Sequence, residues 1–197
     1  LTTGFDVSTA SFVDAFSVSG QEGFPQGLAF NNDGTKMFVT GTAGDDVNEY
    51  TLTTGFDVST ASFVDAFSVS GQETAPKGIT FNNDGTKMFV TGGHGKDVNE
   101  YTLSTGFDVS TASFVDAFSV SGQEAAPNDV TFNNDGTKMF VIGTGGKEVN
   151  EYTLSTGFDV STASFVDAFS VSGQETSPQG IAFNNDGTKM FVTGDSG

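Results

Sequence analysis

The ten residues FNNDGTKMFV begin at Phe30, Phe81, Phe132 and Phe183, unchanged each time and at intervals of 51 residues. An internal period of this length constrains the fold more than any other property of the chain. Each copy is a supersecondary unit that cannot bury its apolar face alone, so neighbouring copies must stack to make a core. Residues 1–197 are therefore read as one repeat domain, with units 1–51, 52–102, 103–153 and a shorter 154–197.

Within the first unit, GLAF (Gly27 to Phe30) follows Pro25 and reads as a short apolar strand. NNDGT then sets Asp33–Gly34 between two apolar runs, which predicts a type I′ hairpin turn with both central residues at positive φ. KMFVTG (Lys36 to Gly41) is a continuous apolar run, suited to a strand covered on both faces. After the Gly-rich GTAGD, DVNEYTL (Asp46 to Leu52) alternates Val47, Glu49 and Thr51 against Asn48, Tyr50 and Leu52. TTGFDVST is a loop. ASFVDAFSVSG (Ala10 to Gly20) carries Phe12, Phe16 and Val18 at even spacing, although Phe12 and Phe16 also stand one helical turn apart. Its β-branched, Ser-rich composition favours a strand.

Four short antiparallel strands per unit predict an all-β fold, a β-propeller of four-stranded blades. The segment PQGLAFNNDGTKMFVTG resembles the blade motif of the YVTN and NHL-like propeller superfamily, in which an apolar strand, a polar Asp-Gly turn and an aromatic-Val-Thr strand follow in order. MFVTG stands where that family has aromatic-Val-Thr-Asn, and the TTGFDVST loop is longer. The family is functionally diverse, so the resemblance implies a fold and not an activity.

The units differ mainly in two windows. One runs from GFPQGLA to TAPKGIT, AAPNDVT and TSPQGIA (residues 23–29, 74–80, 125–131 and 176–182). The other is TGTAGDD, TGGHGKD, IGTGGKE and TGDSG, starting at residues 40, 91, 142 and 193. Antiparallel strands alternate direction, so both windows fall on one side of the blades, and loops on a rigid scaffold commonly carry binding. One column in the first window is polar in every unit: Gln26, Lys77, Asn128 and Gln179. It immediately precedes the innermost strand and is expected to ring the mouth of a central channel, with Asp129 adding a carboxylate where other units have Gly. These residues, with Phe24 and His94 on the variable loops, are the candidate ligand-binding set. The competing reading of the column is hydrogen bonding between adjacent blades.

The balance of 25 acidic residues against 7 lysines, a net charge of −18, argues against nucleic acid and anionic membrane surfaces, which require a cationic footprint. There is no cysteine, hence no disulfide or zinc–thiolate site. No apolar run is long enough for a membrane-spanning helix. The repeated Asp33 and Asp6 and their copies read as turn residues and not as calcium ligands, because NNDGT lacks the spacing and terminal Glu of a calcium loop. Lys96 and Lys147 sit beside acids and read as surface pairs.

Catalysis requires an asymmetric constellation, and here nearly every polar residue recurs. The expectation is thus a non-enzymatic binding or scaffold propeller without cofactor, outside the cytoplasm, taking a protein or glycan ligand. The alternative is a self-assembling or designed repeat protein, and a weaker third reading is a metal-dependent hydrolase. The third-strand segment, DVNEYT twice and EVNEYT once, occurs three times only, so a blade built from both chain ends lacks its third strand. A longer or multi-chain ring is favoured, and among multi-chain rings a dimer in which two chains close eight blades. The other arrangement is a closed four-blade ring with a three-stranded blade.

Overall fold

The computed structural model describes residues 7–195. Three complete blades follow one another, each a four-stranded antiparallel sheet with strands paired in chain order. Blade one comprises β1 (Pro25–Phe30), β2 (Lys36–Gly41), β3 (Asp46–Leu52) and β4 (Ala61–Ser68). Blade two comprises β5 (Pro76–Phe81), β6 (Lys87–Gly92), β7 (Asp97–Leu103) and β8 (Ala112–Ser119). Blade three comprises β9 (Pro127–Phe132), β10 (Lys138–Gly143), β11 (Glu148–Leu154) and β12 (Ala163–Ser170). A two-stranded sheet of β13 (Pro178–Phe183) and β14 (Met190–Gly194) begins a fourth. The first strands β1, β5, β9 and β13 lie against one another in succession and form the inner wall. This is a β-propeller architecture.

The core lies between blades. Phe38 of β2 is fully buried, with its ring 4.5 Å from that of Phe81 and 6.2 Å from that of Phe107. Phe89 repeats this against Phe132 and Phe158 at 4.5 and 6.3 Å. A fully buried Phe contributes roughly 1.5–3 kcal/mol, so Phe38 and Phe89 each add substantially to blade stacking.

The first two junctions are also latched by charge. Lys36 Nζ donates to Glu49 Oε1 at 2.7 Å and to the Phe107 carbonyl at 2.6 Å, while Glu49 Oε2 accepts from Val109 N–H at 2.9 Å. Lys87 and Glu100 hold Phe158 and Val160 in the same way. Side-chain amides add a stitch: Asn32 donates to the Asn83 carbonyl, Asn83 to Asn134 and Asn134 to Asn185.

Three local expectations are corrected. The NNDG turn is not type I′: among its central residues only Gly34 has positive φ, at 71°. Gly34 N–H donates to the Asn31 carbonyl, Asn31 N–H to the Lys36 carbonyl, and the Asn31 side chain accepts from Lys36 N–H, so backbone and side chain together close a loop longer than a two-residue hairpin. Gly is required there twice over, because a Cβ would also strike the ring of Phe56. The segment ASFVDAFS is a strand in β4, β8 and β12, whereas its first copy, from Ala10, has no strand pairing. Phe16 and Val18 of that copy still pack on Met37, Val39, Tyr50 and Leu52. Finally, the ion pairs among the described residues are Lys36–Glu49, Lys87–Glu100 and Lys138–Glu151. Lys96 and Lys147 instead turn the chain at φ of 60° and 57°, and their carbonyls accept from Val120 and Val171. The loop Asp carboxylates act as turn residues: Asp33 Oδ1 accepts from the Thr35 N–H and hydroxyl, and Asp57 does the same for Ser59. Asp6 lies outside the described residues.

Candidate functional site

Every first strand carries a β-bulge at the same place. In β1, Pro25 pairs with Gly41 and Gly27 with Thr40, which leaves Gln26 without a partner in the ladder. The same slip isolates Lys77, Asn128 and Gln179. A bulge kinks its strand and re-aims a side chain. It turns the polar column of the sequence toward the inner wall, where Gln26, Lys77, Asn128, Asp129 and Gln179 line one cavity of 200 Å³. The glycine after the bulge is a close-approach position: a Cβ at Gly27 would collide with the Lys77 carbonyl oxygen, and one at Gly78 would stand 2.8 Å from Asp129 Cα. Blade three breaks this pattern by placing Asp129 at that position.

The Asp129 carboxylate is held between two strands. Oδ1 accepts from Val130 N–H at 2.9 Å and Oδ2 from Ile181 N–H, on β13, at 3.0 Å. Burial pushes its pKa up to about 6, against the opposing effect of those two hydrogen bonds. Each oxygen keeps a further lone pair.

Lys77 Nζ donates to Asn128 Oδ1 at 2.7 Å, and Asn128 Nδ2 donates to the Pro178 carbonyl at 2.8 Å. Asn128 is buried and ties blades two, three and four together, so for this member the column does bond blade to blade. Lys77 is thereby fixed at the cavity by a neutral partner, with two of its three donors uncommitted to Asn128. Gln179 donates to Asp195 Oδ2 at 3.1 Å, and Gln26 is exposed at the rim.

Phe24 and His94 lie apart from this cavity. The Phe24 ring is 68 % exposed on the first variable loop. His94 Nδ1 meets Thr74 Oγ1 at 2.9 Å across the two windows. The windows are adjacent, as their placement on one side of the blades requires, and a buried glutamate clamps them together. Glu73 accepts from Ala75, His94 and Gly95 N–H groups. Glu22 and Glu124 repeat this in blades one and three. Its signal in the sequence is the constant SGQE that borders each first window. Among the described residues no three His, Asp or Glu side chains gather into a metal-holding group.

No protein-family model and no curated protein matches the chain. The architecture defined above is shared with solved propeller structures. A Bacteroides uniformis protein assigned as a 6-phosphogluconolactonase superposes with a TM-score of 0.62 at 13% identity, over 85% of this chain and 46% of that one. The Pseudomonas aeruginosa periplasmic gluconolactonase gives 0.58 at 18%, over 85% and 46%. Kuenenia stuttgartiensis hydrazine synthase gives 0.61 at 14%, over 94% and 46%. The chain thus spans about half the length of each.

The expectation of a non-catalytic scaffold is corrected here. Solved structures of this fold include proteins named as lactonases. The argument from symmetry fails for a physical reason as well. Near-identical blades still differ around the axis, with Lys77 in blade two and Asn128 and Asp129 in blade three where blades one and four have Gln and Gly, so these three form an asymmetric group within a symmetric frame.

Proposed function

We propose that the axial cavity is a hydrolytic site for a small uncharged sugar lactone, with Asp129 as general base and Lys77 as the group that stabilises charge on the carbonyl oxygen. The observation that carries this reading is the meeting of the two at one cavity, with the carboxyl held near neutrality by burial. A base with a pKa just below the working pH is ionised yet retains proton affinity, the condition for efficient general base catalysis.

Asp129 takes a proton from water as the water oxygen bonds to the lactone carbonyl carbon. Lys77 N–H donates to the oxyanion that forms. The ring carbon–oxygen bond then breaks, the proton passes from Asp129 to the departing ring oxygen, and a hydroxy acid leaves. The amides of Gln26 and Gln179 suit the hydroxyls of such a ligand. The names of the structural neighbours supply the substrate class, and the charge of this chain narrows it. At −18, with one lysine at the cavity, the protein repels a phosphorylated lactone more than a neutral one. The blade motif PQGLAFNNDGTKMFVTG supports placing the chain among the YVTN and NHL-like propellers.

The test is hydrolysis of glucono-lactones by the purified chain and by Asp129→Asn and Lys77→Ala. The reading requires a rate above the spontaneous one, and about a 100-fold or greater fall in kcat for Asp129→Asn. Equal rates with and without protein would end it.

A further inference from the structure

β4, β8 and β12 are the last strands of their blades, and among the described residues no strand pairs with their outer side. A free sheet edge is a template on which another chain can add a strand. All three edges are formed by the segment ASFVDAFS. It is rich in aromatic and apolar residues, lacks Pro and Gly, and exposes Phe63 and Val64, with Phe114, Val115, Phe165 and Val166 at the same positions, at 44–52%. Those are the properties of a segment that stacks into cross-β assemblies. Its only charge is one Asp.

The register fixes what that Asp does. Leu52 N–H donates to the Thr35 carbonyl, so Leu52, Tyr50 and Asn48 direct their backbone groups toward β2. Successive residues of a strand alternate, so Glu49 and Val47 direct theirs toward β4, where they face Asp65 and Phe67. Ala66, between those two, therefore directs its N–H to the free edge. Asp65 Oδ1 accepts from that N–H at 2.8 Å. Asp116 holds Ala117 N–H and Asp167 holds Ala168 N–H in the same way, each at 2.8 Å. A bulge stands just before the Asp, since Glu49 pairs with Asp65 and Tyr50 with Phe63, which leaves Val64 out of the ladder. The same slip falls at Val115 and Val166. A bulge bends the strand away from the flat edge that a further strand needs. The bond belongs to the segment itself: Asp14 Oδ1 accepts from Ala15 N–H at 2.8 Å in the first copy, where no strand forms.

We propose that Asp65, Asp116 and Asp167 guard the outer edges of their blades against strand addition by another copy of this chain. Each engages an outward N–H near the middle of its strand and sets a carboxylate beside the exposed Phe-Val pair. An added strand needs a donor at every second residue of the edge, and here a central one is taken. It would also cover the carboxylate, which is unfavourable without a cationic partner. A second copy is the most hazardous partner, because it carries the same apolar strand. It also carries the same Asp, and antiparallel pairing of two such strands about their centres brings like charges together. This inference is independent of the hydrolytic reading, because it concerns the outer edges of the blades and not turnover.

The experiment compares the full chain with two triple variants, Asp65→Ala with Asp116→Ala and Asp167→Ala, and the same three positions changed to Asn. Amide hydrogen exchange on dilute protein reads the cap directly. Exchange at Ala66, Ala117 and Ala168 is expected to rise about tenfold in the Ala variant, the effect of losing one hydrogen bond, while the amides of β2 and β3 keep their rates and show that the fold is intact. Concentrated samples are then followed by light scattering and thioflavin fluorescence under native conditions. The Ala variant is expected to form thioflavin-positive assemblies faster than wild type, with the amides of β4, β8 and β12 protected in them. The Asn variant retains an acceptor oxygen but not the charge, and its rate is expected to fall between the two. Unchanged exchange at the three alanines, assembly no faster than wild type, or assemblies that protect other strands instead would overturn the proposal.

Discussion

Lys36 Nζ stands 2.7 Å from Glu49 Oε1, and together they grip the backbone of the next blade at Phe107 and Val109. Neither residue is in contact with its own repeat alone, so the pair makes blade stacking specific in register as well as apolar. Removing Glu49 would leave a partly buried ammonium and a buried N–H without their acceptor. Glu49→Ala is expected to destabilise the protein by about 3–5 kcal/mol. Glu151→Ala, at the more exposed Lys138–Glu151 pair, is expected to cost about 1 kcal/mol or less. Urea denaturation of the two variants side by side checks the contrast.

The glutamate clamp beneath the variable loops predicts a local effect. Glu73 is fully buried and accepts three N–H groups from both windows. Glu73→Ala strands those donors, at about 1–3 kcal/mol each where they stay buried. Amide hydrogen exchange should speed up at Ala75, His94 and Gly95 before it does so in β6 or β7.

Gly34 offers a conformational test. Its φ of 71° and the ring of Phe56 against it leave no room for a side chain. Gly34→Ala is expected to cost more than about 1 kcal/mol, read as a lower melting temperature. The same change at Gly20, which has nothing within 4 Å, should be close to neutral.

Asp129 predicts a pH dependence of stability. Its pKa is 3.8 in the ordinary range and about 6 in the folded chain, raised chiefly by burial. Between these values the folded state binds a proton that the unfolded state has lost. Stability from this group therefore falls as pH rises from about 4 to 6, by roughly 3 kcal/mol in all. The difference in unfolding free energy between wild type and Asp129→Asn, measured from pH 4 to pH 8, isolates this contribution from the other carboxylates.

The period of 51 made the blades legible, because repeated letters imply repeated environments and KMFVTG suited a strand covered on both faces, as β2 and β6 are. The polar column was legible too, from Gln26, Lys77, Asn128 and Gln179 preceding the inner strand. The bulge that aims it was not, since a one-residue slip leaves no mark in composition. Glu49 alternates with Val47 and Thr51 as a half-exposed strand residue would, and only the arrival of Val109 from the next blade explains its burial. The type I′ turn failed because the loop runs from Asn31 to Lys36, closed by the Asn31 N–H bond to the Lys36 carbonyl with the Asn31 side chain taking the Lys36 N–H. The asymmetry at the axis was hidden by the repetition itself. Asp129 is one departure in a column that otherwise reads Gly27, Gly78 and Gly180, and its significance depends on where four different strands converge.

The most direct measurement is the pH profile of kcat/KM for gluconolactone hydrolysis, corrected for the spontaneous reaction. The account predicts a rate that rises with pH through about 6, as Asp129 ionises, and a profile without that step in Asp129→Asn. Hydrolysis indistinguishable from the spontaneous reaction, or an unchanged step in Asp129→Asn, would contradict it.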